Sequence, residues 1–343
     1  MPGAGIIEVG TDTTTLVPPY ACPYDLRELT SSPTGYSCPG GHSFHVRGGI
    51  PRFVDSADYA EAFGRQWNRF RTTQLDSHTG LALAERRALR CIGLEHSNDN
   101  GPLLEHERIL EVGCGAGRFT EVLLKHGALV TSVDLSSAVD ANAVTSPPSE
   151  RHRIAQADAR ALPFAPRQFD GVFCLGVVQH TPDPERTVAE LYEQVRPGGW
   201  LAFDHYAFSL STVTWVGMHA ARRIFKRLPA DRKLPAVERM VDSLLPLHAK
   251  VARCGRSPAR VLSRVSPVLS YYHVHPELSP DLQRDWAVLD THDALADAYK
   301  HHRRTGQLVE CLSALGLEEI VVHRDGNGIE ARGRRPSVID GHG

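Results

Sequence analysis

Ile109-Leu110-Glu111-Val112-Gly113-Cys114-Gly115-Ala116-Gly117-Arg118-Phe119 runs a hydrophobic stretch into a Gly-x-Gly-x-Gly turn and out into an amphipathic segment. Glycines so spaced let the main chain turn tightly and let a ligand approach the backbone. Many strand-to-helix turns look alike, so the neighbours decide the reading. Short apolar runs recur at Ile109–Val112, Leu129–Val133, Arg153–Gln156, Gly171–Leu175 and Trp200–Phe203, separated by helix-length segments such as Phe119–His126 and Thr187–Val195. This repetition predicts an α/β fold, a doubly wound and mostly parallel sheet with helices on both faces.

The 343 residues allow about two domains on a prior of roughly 100–200 residues each, enough to bury a core unaided. Hydrophobic residues are 41% and charged ones 23%, and no stretch reaches the roughly 18 apolar residues a spanning helix needs. Lys+Arg 38 against Asp+Glu 40 gives a net charge of −2, so no global field draws the chain to nucleic acid or anionic membrane, and any such binding must be local. The seven cysteines, at 22, 38, 91, 114, 174, 254 and 311, are odd in number and scattered, and the opening MPGAGIIEVG lacks a secretory layout. Both features point to the reducing cytoplasm.

Acidic residues stand at three consecutive strand ends: Glu111 inside the glycine motif, Asp134 about twenty residues on, and Asp158 in Gln156-Ala157-Asp158-Ala159. Glu111 would repel a pyrophosphate but suits a ligand with an ammonium group. Asp134 can take both hydroxyls of a ribose, and Asp158 falls at the edge of an adenine pocket. Each alone is equally a helix cap or a solvated turn. Together they mark a ligand site at the carboxyl ends of the strands.

From about residue 60 to 335 the sequence resembles the class I S-adenosylmethionine-dependent methyltransferases, through Glu-Val-Gly-Cys-Gly-Ala-Gly, Ser-Val-Asp-Leu-Ser, Gln-Ala-Asp-Ala with Leu162-Pro163-Phe164, Phe169-Asp170 and Val195-Arg196-Pro197-Gly198-Gly199. The resemblance implies a Rossmann-like core with S-adenosylmethionine as cofactor. By it, Glu111, Gly113, Cys114, Gly115 and Gly117 face the methionine moiety, Asp134 and Leu135 the ribose, and Asp158 and Ala159 the adenine, with Leu175-Gly176-Val177 closing the pocket. Phe63-Gly64-Arg65-Gln66-Trp67-Asn68 and Thr73-Gln74-Leu75-Asp76 look like the helical lid of a bacterial subgroup, which adds Gln66 and Gln74 to the cofactor contacts.

A sulfonium cofactor already activates its methyl group, so the protein has to align the displacement and remove a proton from an O or N nucleophile. Candidate catalytic residues are His180 in Gln179-His180-Thr181-Pro182, and His205 and Tyr206 after the fifth strand. The fourth-strand end, Cys174-Leu175-Gly176-Val177, has no Asn- or Asp-Pro-Pro-aromatic run of the base-amine methylating type, and no Pro-Cys nucleophile serves C5-pyrimidine chemistry.

Residues 1–51 are dense in Pro and Gly and read as turns and short strands. Cys22-Pro23-Tyr24-Asp25 and Cys38-Pro39-Gly40-Gly41-His42 resemble the zinc ribbons of some RNA and protein methyltransferases, with Asp25 where those carry a second cysteine. Zinc accepts carboxylate oxygen, so Cys22, Asp25, Cys38 and His42 are a candidate structural Zn2+ set. A vestigial ribbon held by its own core, with His45 as a spare ligand, is the alternative.

The segment Ser209–Gly306 looks helical, with breaks at Pro229, Pro235, Pro246, Pro258, Pro267, Pro276 and Pro280, and a strand pair Ile320–His323 and Gly328–Ala331 closes the chain around Asp325-Gly326-Asn327-Gly328. Arg222-Arg223 and Lys226-Arg227 fit either a solvated face or a grip on a phosphate-bearing or membrane-adjacent substrate. Asp290, His292 and Tyr299 are substrate-contact candidates by the resemblance. The division expected is a ribbon-like module at 1–55, a helical lid at 56–105, the cofactor-binding core at 106–206, a helical cap insertion at 207–310 and C-terminal strands at 311–343. The expected function is methyl transfer to an O or N nucleophile of a small molecule or glycoconjugate in bacterial biosynthesis, with no nucleic-acid partner and no transmembrane segment. Its rivals are an rRNA or tRNA methyltransferase, aminocarboxypropyl transfer or cyclisation of the same cofactor, and a non-catalytic cofactor-binding protein.

Overall fold

Apolar side chains alternate to both sides of the central strands, so the sheet needs cover on both faces. In β5 (Arg108–Val112), β8 (Phe169–Cys174) and β9 (Val195–Tyr206), Leu110, Val172 and Phe203 enter one apolar layer, while Ile109, Phe173 and Ala202 enter the other. The computed structural model describes residues 17–54, 58–97, 101–209, 214–326 and 328–337. With β6 (Leu129–Asp134), β7 (His152–Gln156), β10 (Glu318–His323) and β11 (Gly328–Arg334), the core order is β7-β6-β5-β8-β9-β11-β10. The sheet is parallel except for β11, which runs antiparallel to both neighbours. The chain starts at β5, winds out to β7, then returns to β8. That reversal opens a crevice at the carboxyl ends of the strands.

Asp325, Gly326 and Gly328 of the expected closing turn connect β10 to β11, and Asn327 lies outside the described residues. The amino-terminal part is a meander of β1 (Thr30–Ser32), β2 (Gly35–Ser37), β3 (Ser43–Arg47) and β4 (Ile50–Arg52). It is not detached from the core. Arg52 of β4 pairs with Gln156 of β7, the Phe53 N–H donates to the Gln156 carbonyl at 2.8 Å, and all eleven strands form one sheet.

Three helices lead into β5: α1 (Glu61–Arg69), α2 (Asp76–Thr79) and α3 (Leu83–Ile92). The aromatic face of α1 divides its contacts. Phe70, just beyond the helix, is buried in the cap's apolar cluster with Trp67 packed against it, while Phe63 lies on the crevice. No side chain at the α3 N-cap satisfies its first N–H groups. Asp76 does so from the preceding helix, accepting from the backbone of Leu83 and Ala84 at 2.9 Å and of Glu85 at 2.8 Å.

Helices α4 (Thr120–Lys125), α5 (Ala138–Thr145) and α6 (Pro184–Gln194) connect the core strands, and after β9 come α7 (Val216–Phe225), α8 (Ala230–Arg253), α9 (Arg256–Val265), α10 (Pro280–Ala296) and α11 (Thr305–Ala314). Some of the expected breaks fall within helices: Pro235 and Pro246 lie inside α8, and Pro258 in the first turn of α9. An internal proline costs about 3 kcal/mol of helix stability, but Val237, Val241, Leu245 and His248 form a buried stripe, three of them in one apolar cluster with Ala287, Val288 and Leu289 of α10. Tertiary packing overrides the local signal. Pro280 occupies the first turn of α10, where its missing N–H has no intrahelical partner to lose.

Asp76→Ala leaves three helix-start donors without their acceptor. We expect its urea-unfolding free energy to fall by about 1–2 kcal/mol; an unchanged midpoint would show that water serves those donors equally well.

Candidate active site

The turn after β5 is built by backbone hydrogen bonds. Gly113 and Cys114 both donate to the Val133 carbonyl, at 2.7 and 3.0 Å, which seats the turn on the end of β6. Gly113 has φ +74°, and a Cβ there would stand 2.0 Å from Cγ2 of Val177, so side-chain sterics and backbone conformation both demand glycine. Gly115 donates to Oδ2 of Asp134 at 3.0 Å, and Oδ1 of Asp134 accepts from the Ser136 N–H at 2.8 Å and its hydroxyl at 2.7 Å. Burial raises the Asp134 carboxyl above the usual range, against the pull of these donors. The Trp67 indole lies over Gly115, within 3.3–3.5 Å of where a Cβ would be.

A cavity of about 1010 Å³ opens on this turn. Gly113, Cys114, Gly115, Asp134, Leu135, Ala157, Ala159, Leu175, Gly176 and Val177 line it, together with Tyr59, Phe63, Trp67 and Gln74 from the lid side. Four of the expected cofactor contacts stand behind this wall. Glu111 is buried beneath the turn, where Oε2 accepts from Thr120 at 2.6 Å and Ser132 at 2.8 Å while Oε1 has no partner, and burial pushes its carboxyl up to about 7. Asp158 is held by Arg160, through 2.6 and 3.1 Å contacts, and its neighbours Ala157 and Ala159 form the wall instead. Gly117, at φ +90°, closes the turn beside Thr145. Gln66 turns away and bonds through Oε1 to Nδ1 of His292.

Gln74 joins three parts of the chain, accepting from Arg118 at 2.7 Å and donating to Asp290 at 3.2 Å. Asp290 also receives the Tyr271 hydroxyl, and burial lifts its carboxyl to about 6. Burial likewise brings Arg118 down to about 10.

Beyond this link the cavity ends at His180, Tyr206, Asp293, Arg222 and Lys300. Nδ1 of His180 lies 3.3 Å from the Tyr299 carbonyl and 3.3 Å from Asp297, while its Nε2 has no hydrogen-bond partner and stands 3.9 Å from Asp293. Burial lowers the His180 imidazole below its ordinary range. The Tyr206 hydroxyl donates to Asp293 at 3.3 Å, its ring packs edge-on to His180, and burial raises its phenol well above 10. Asp297, fully buried, gathers Arg222, Lys300 and His180; burial brings Lys300 down to about 8.

His205 does not belong to this group. Successive residues of β9 point to opposite faces, so His205 lies behind the sheet from Tyr206, bonded at 3.1 Å to the Tyr206 carbonyl and lowered to about 4 by burial. The same geometry sorts the cap candidates. On α10, Asp290, Asp293 and Ala294 share the cavity face, three and four residues apart, whereas His292 points to Gln66. Tyr299 packs on Tyr59 outside the wall, and the adjacent Lys300 enters it. Asp293 and Lys300 are the site residues that motif reading missed; helical spacing from Asp290 carries the signal for Asp293, and Lys300 has none.

The Cys22, Asp25, Cys38 and His42 ligand atoms all lie within 4.8 Å of one another. Cys22 Sγ is 3.3 Å from His42 Nδ1, Cys38 Sγ is 3.2 Å from both Asp25 oxygens, and the Gly40 N–H donates to Cys38 Sγ at 3.2 Å. His45 is not in the group. Two thiols, an imidazole and a carboxylate converging around one point match a four-coordinate zinc donor set.

Residues 110–203 match the family model described as "Methyltransferase domain". The ubiquinone biosynthesis O-methyltransferase of Coxiella burnetii (strain RSA 493 / Nine Mile phase I) is 33% identical over 130 residues, 37% of this chain and 54% of that protein. The enzyme of the same name from Pseudomonas putida (strain GB-1) is 36% identical over 110 residues, 31% of this chain and 47% of that protein. The chain thus spans about half the length of these curated relatives. Among solved structures, an S-adenosylmethionine-dependent methyltransferase from Mesorhizobium loti aligns at 18% identity with a TM-score of 0.41, over 74% of this chain and 98% of that one. The glycine turn and the acid ending β6 fall within the stretch that matches the methyltransferase domain, and strands β5 to β9 lie within or beside it.

Proposed function

We propose that the protein transfers a methyl group from S-adenosylmethionine to an oxygen or nitrogen nucleophile of a small molecule or glycoconjugate. One observation carries the reading: a single cavity runs from the glycine turn and Asp134 to His180, Tyr206 and Asp293. The residues fit the cofactor. Asp134 offers a half-buried carboxylate for ribose hydroxyls, Leu135, Ala157 and Ala159 an apolar wall for a flat base, and Glu111, beneath the turn, a negative field that favours an ammonium group above it. The relatives' printed name, O-methyltransferase, favours an oxygen acceptor.

When bound, the sulfonium supplies an activated methyl group for in-line displacement. The carbonyl of Tyr299 requires a donor at Nδ1 of His180, a residue of the cavity wall, which leaves the unpartnered lone pair on Nε2 to take the acceptor's proton. Burial keeps this imidazole neutral and ready as a base, and Asp293 stabilises the imidazolium that forms. Phe63 packs on His180 and Trp67 lies over Gly115, so both give the cavity apolar surface.

Two variants separate binding from chemistry. Asp134→Ala should weaken S-adenosylmethionine and S-adenosylhomocysteine at least about tenfold by calorimetry. His180→Gln should hold both within about twofold and lose about 10²–10⁴ of methyl transfer to phenolic and amino acceptors supplied with labelled cofactor. Normal cofactor affinity in Asp134→Ala would overturn the reading.

Cofactor affinity should also follow pH. A cation beside Glu111 favours the ionised carboxylate, whose pKa in the free protein is about 7; affinity therefore rises as pH increases towards that value and levels off above it. Glu111→Gln should flatten the profile, and an identical slope in both proteins would exclude the contact.

We further propose that Cys22, Asp25, Cys38 and His42 hold a structural zinc ion that ties the turns of the amino-terminal meander. Mass spectrometry of the native protein should find one zinc per chain, lost together with thermal stability in Cys22→Ser and Cys38→Ser. Metal-free protein with unchanged melting would leave a ribbon held by its own core.

A further inference from the structure

Helix α7 has two faces. Met218, His219, Arg222 and Lys226 line the cavity, while Val216 and Ile224, 66% and 62% exposed, look outward beside the exposed Arg223 and Arg227. Helix α9 crosses it at Gly217, where a Cβ would stand 1.9 Å from the Val265 carbonyl oxygen, so the backbones touch and the outer faces form one surface. On α9, Val261 and Val265 are 66% and 62% exposed, and Arg256, Arg260 and Arg264 line the adjoining exposed side. Charge on this surface has one sign. Between Tyr206 and Ala230 the chain carries Arg222, Arg223, Lys226 and Arg227 with no Asp or Glu, and between Ser243 and Pro276 it carries Lys250, Arg253, Arg256, Arg260 and Arg264 with none, in a protein of net charge −2.

We propose that this outer face of the cap docks on an anionic lipid membrane, its valines and Ile224 entering the boundary between headgroups and acyl chains while the arginines pair with lipid phosphates. The pattern of exposure decides among polyanions. Nucleic acid would use the arginines but leave the aliphatic side chains in water, and neither helix exposes a Phe, Tyr or Trp ring on which a base could stack. A second copy of the chain would press like charges together. Because α7 also walls the cavity, docking sets the cavity beside the lipid surface. The proposal stands on the cap's own surface and does not depend on the acceptor assigned above.

Full-length protein would be sedimented with vesicles of phosphatidylcholine alone and of phosphatidylcholine with about 30% phosphatidylglycerol, an anionic fraction enough to attract a cluster of cations. The expected result is binding to the anionic vesicles only. R260E/R264E should weaken it at least about tenfold, and V261S/V265S at least about threefold, with S-adenosylhomocysteine affinity unchanged in both as evidence of folding. Absence of sedimentation with anionic vesicles overturns the proposal. So does loss in the arginine variant with full retention in the valine variant, the mark of a polyanion such as RNA, and so does self-association in sedimentation velocity that the valine variant abolishes.

Discussion

Parallel strands end with backbone donors that no neighbouring strand can receive, and the architecture at their carboxyl edge is an answer to that deficit. The Val133 carbonyl takes two N–H groups of the β5 turn, the Asp134 carboxylate takes Gly115, the Asp134 carbonyl takes Ala157, and the Asp204 carboxylate takes Gly176 at 2.6 Å. Asp204 is fully buried and Asp134 half-buried, and desolvation raises both carboxyls, so each carries a cost. For Asp204 the Arg87 guanidinium of α3 offsets it, which ties the lid to the core. Glu330 of β11, buried and held by Arg90 at 2.7 and 2.9 Å, extends the same charge lattice to the last strand. Asp134 has no such cation among the described residues, and hydroxyl donors from a ligand would lower its desolvation cost.

The core was legible because its signals are local. Five apolar runs with intervening helices, a glycine turn and acids at strand ends appear in the chain in the order in which they appear in space. Side-chain direction was less legible. His205 and Tyr206 are indistinguishable in composition, and only the strand's two-residue period, once β9 is known to run through Tyr206, sends one to the cavity and the other behind the sheet. Likewise Pro235 and Pro246 read as breaks because what keeps α8 continuous is a buried stripe packed on residues more than forty positions away. Asp158 illustrates a third limit: its place after β7 was evident, but its capture by Arg160 is a matter of two side chains in the same turn.

The reacting end of the cavity is assembled from distant sequence. His180 follows β8, Tyr206 ends β9, Asp293 comes from α10, and Lys300 from the segment beyond it. The buried Asp297 joins two of them, His180 and Lys300, to Arg222, and so adds a second counter-charge to that of Asp293. Its role is compensation rather than contact with a ligand, since it does not line the cavity.

The continuity of the amino-terminal meander with the core sheet has a consequence for how the protein behaves as a solute. Through the Arg52–Gln156 pairing, β4 joins the carboxyl end of β7, which would otherwise be the outermost strand of the sheet. The strand that ends up outermost is β1, three residues long and fully exposed, a poor template for another chain to join. The meander from β1 to β4 therefore acts as a selvedge: it leaves the sheet with a short outer edge that offers little to intermolecular β-pairing.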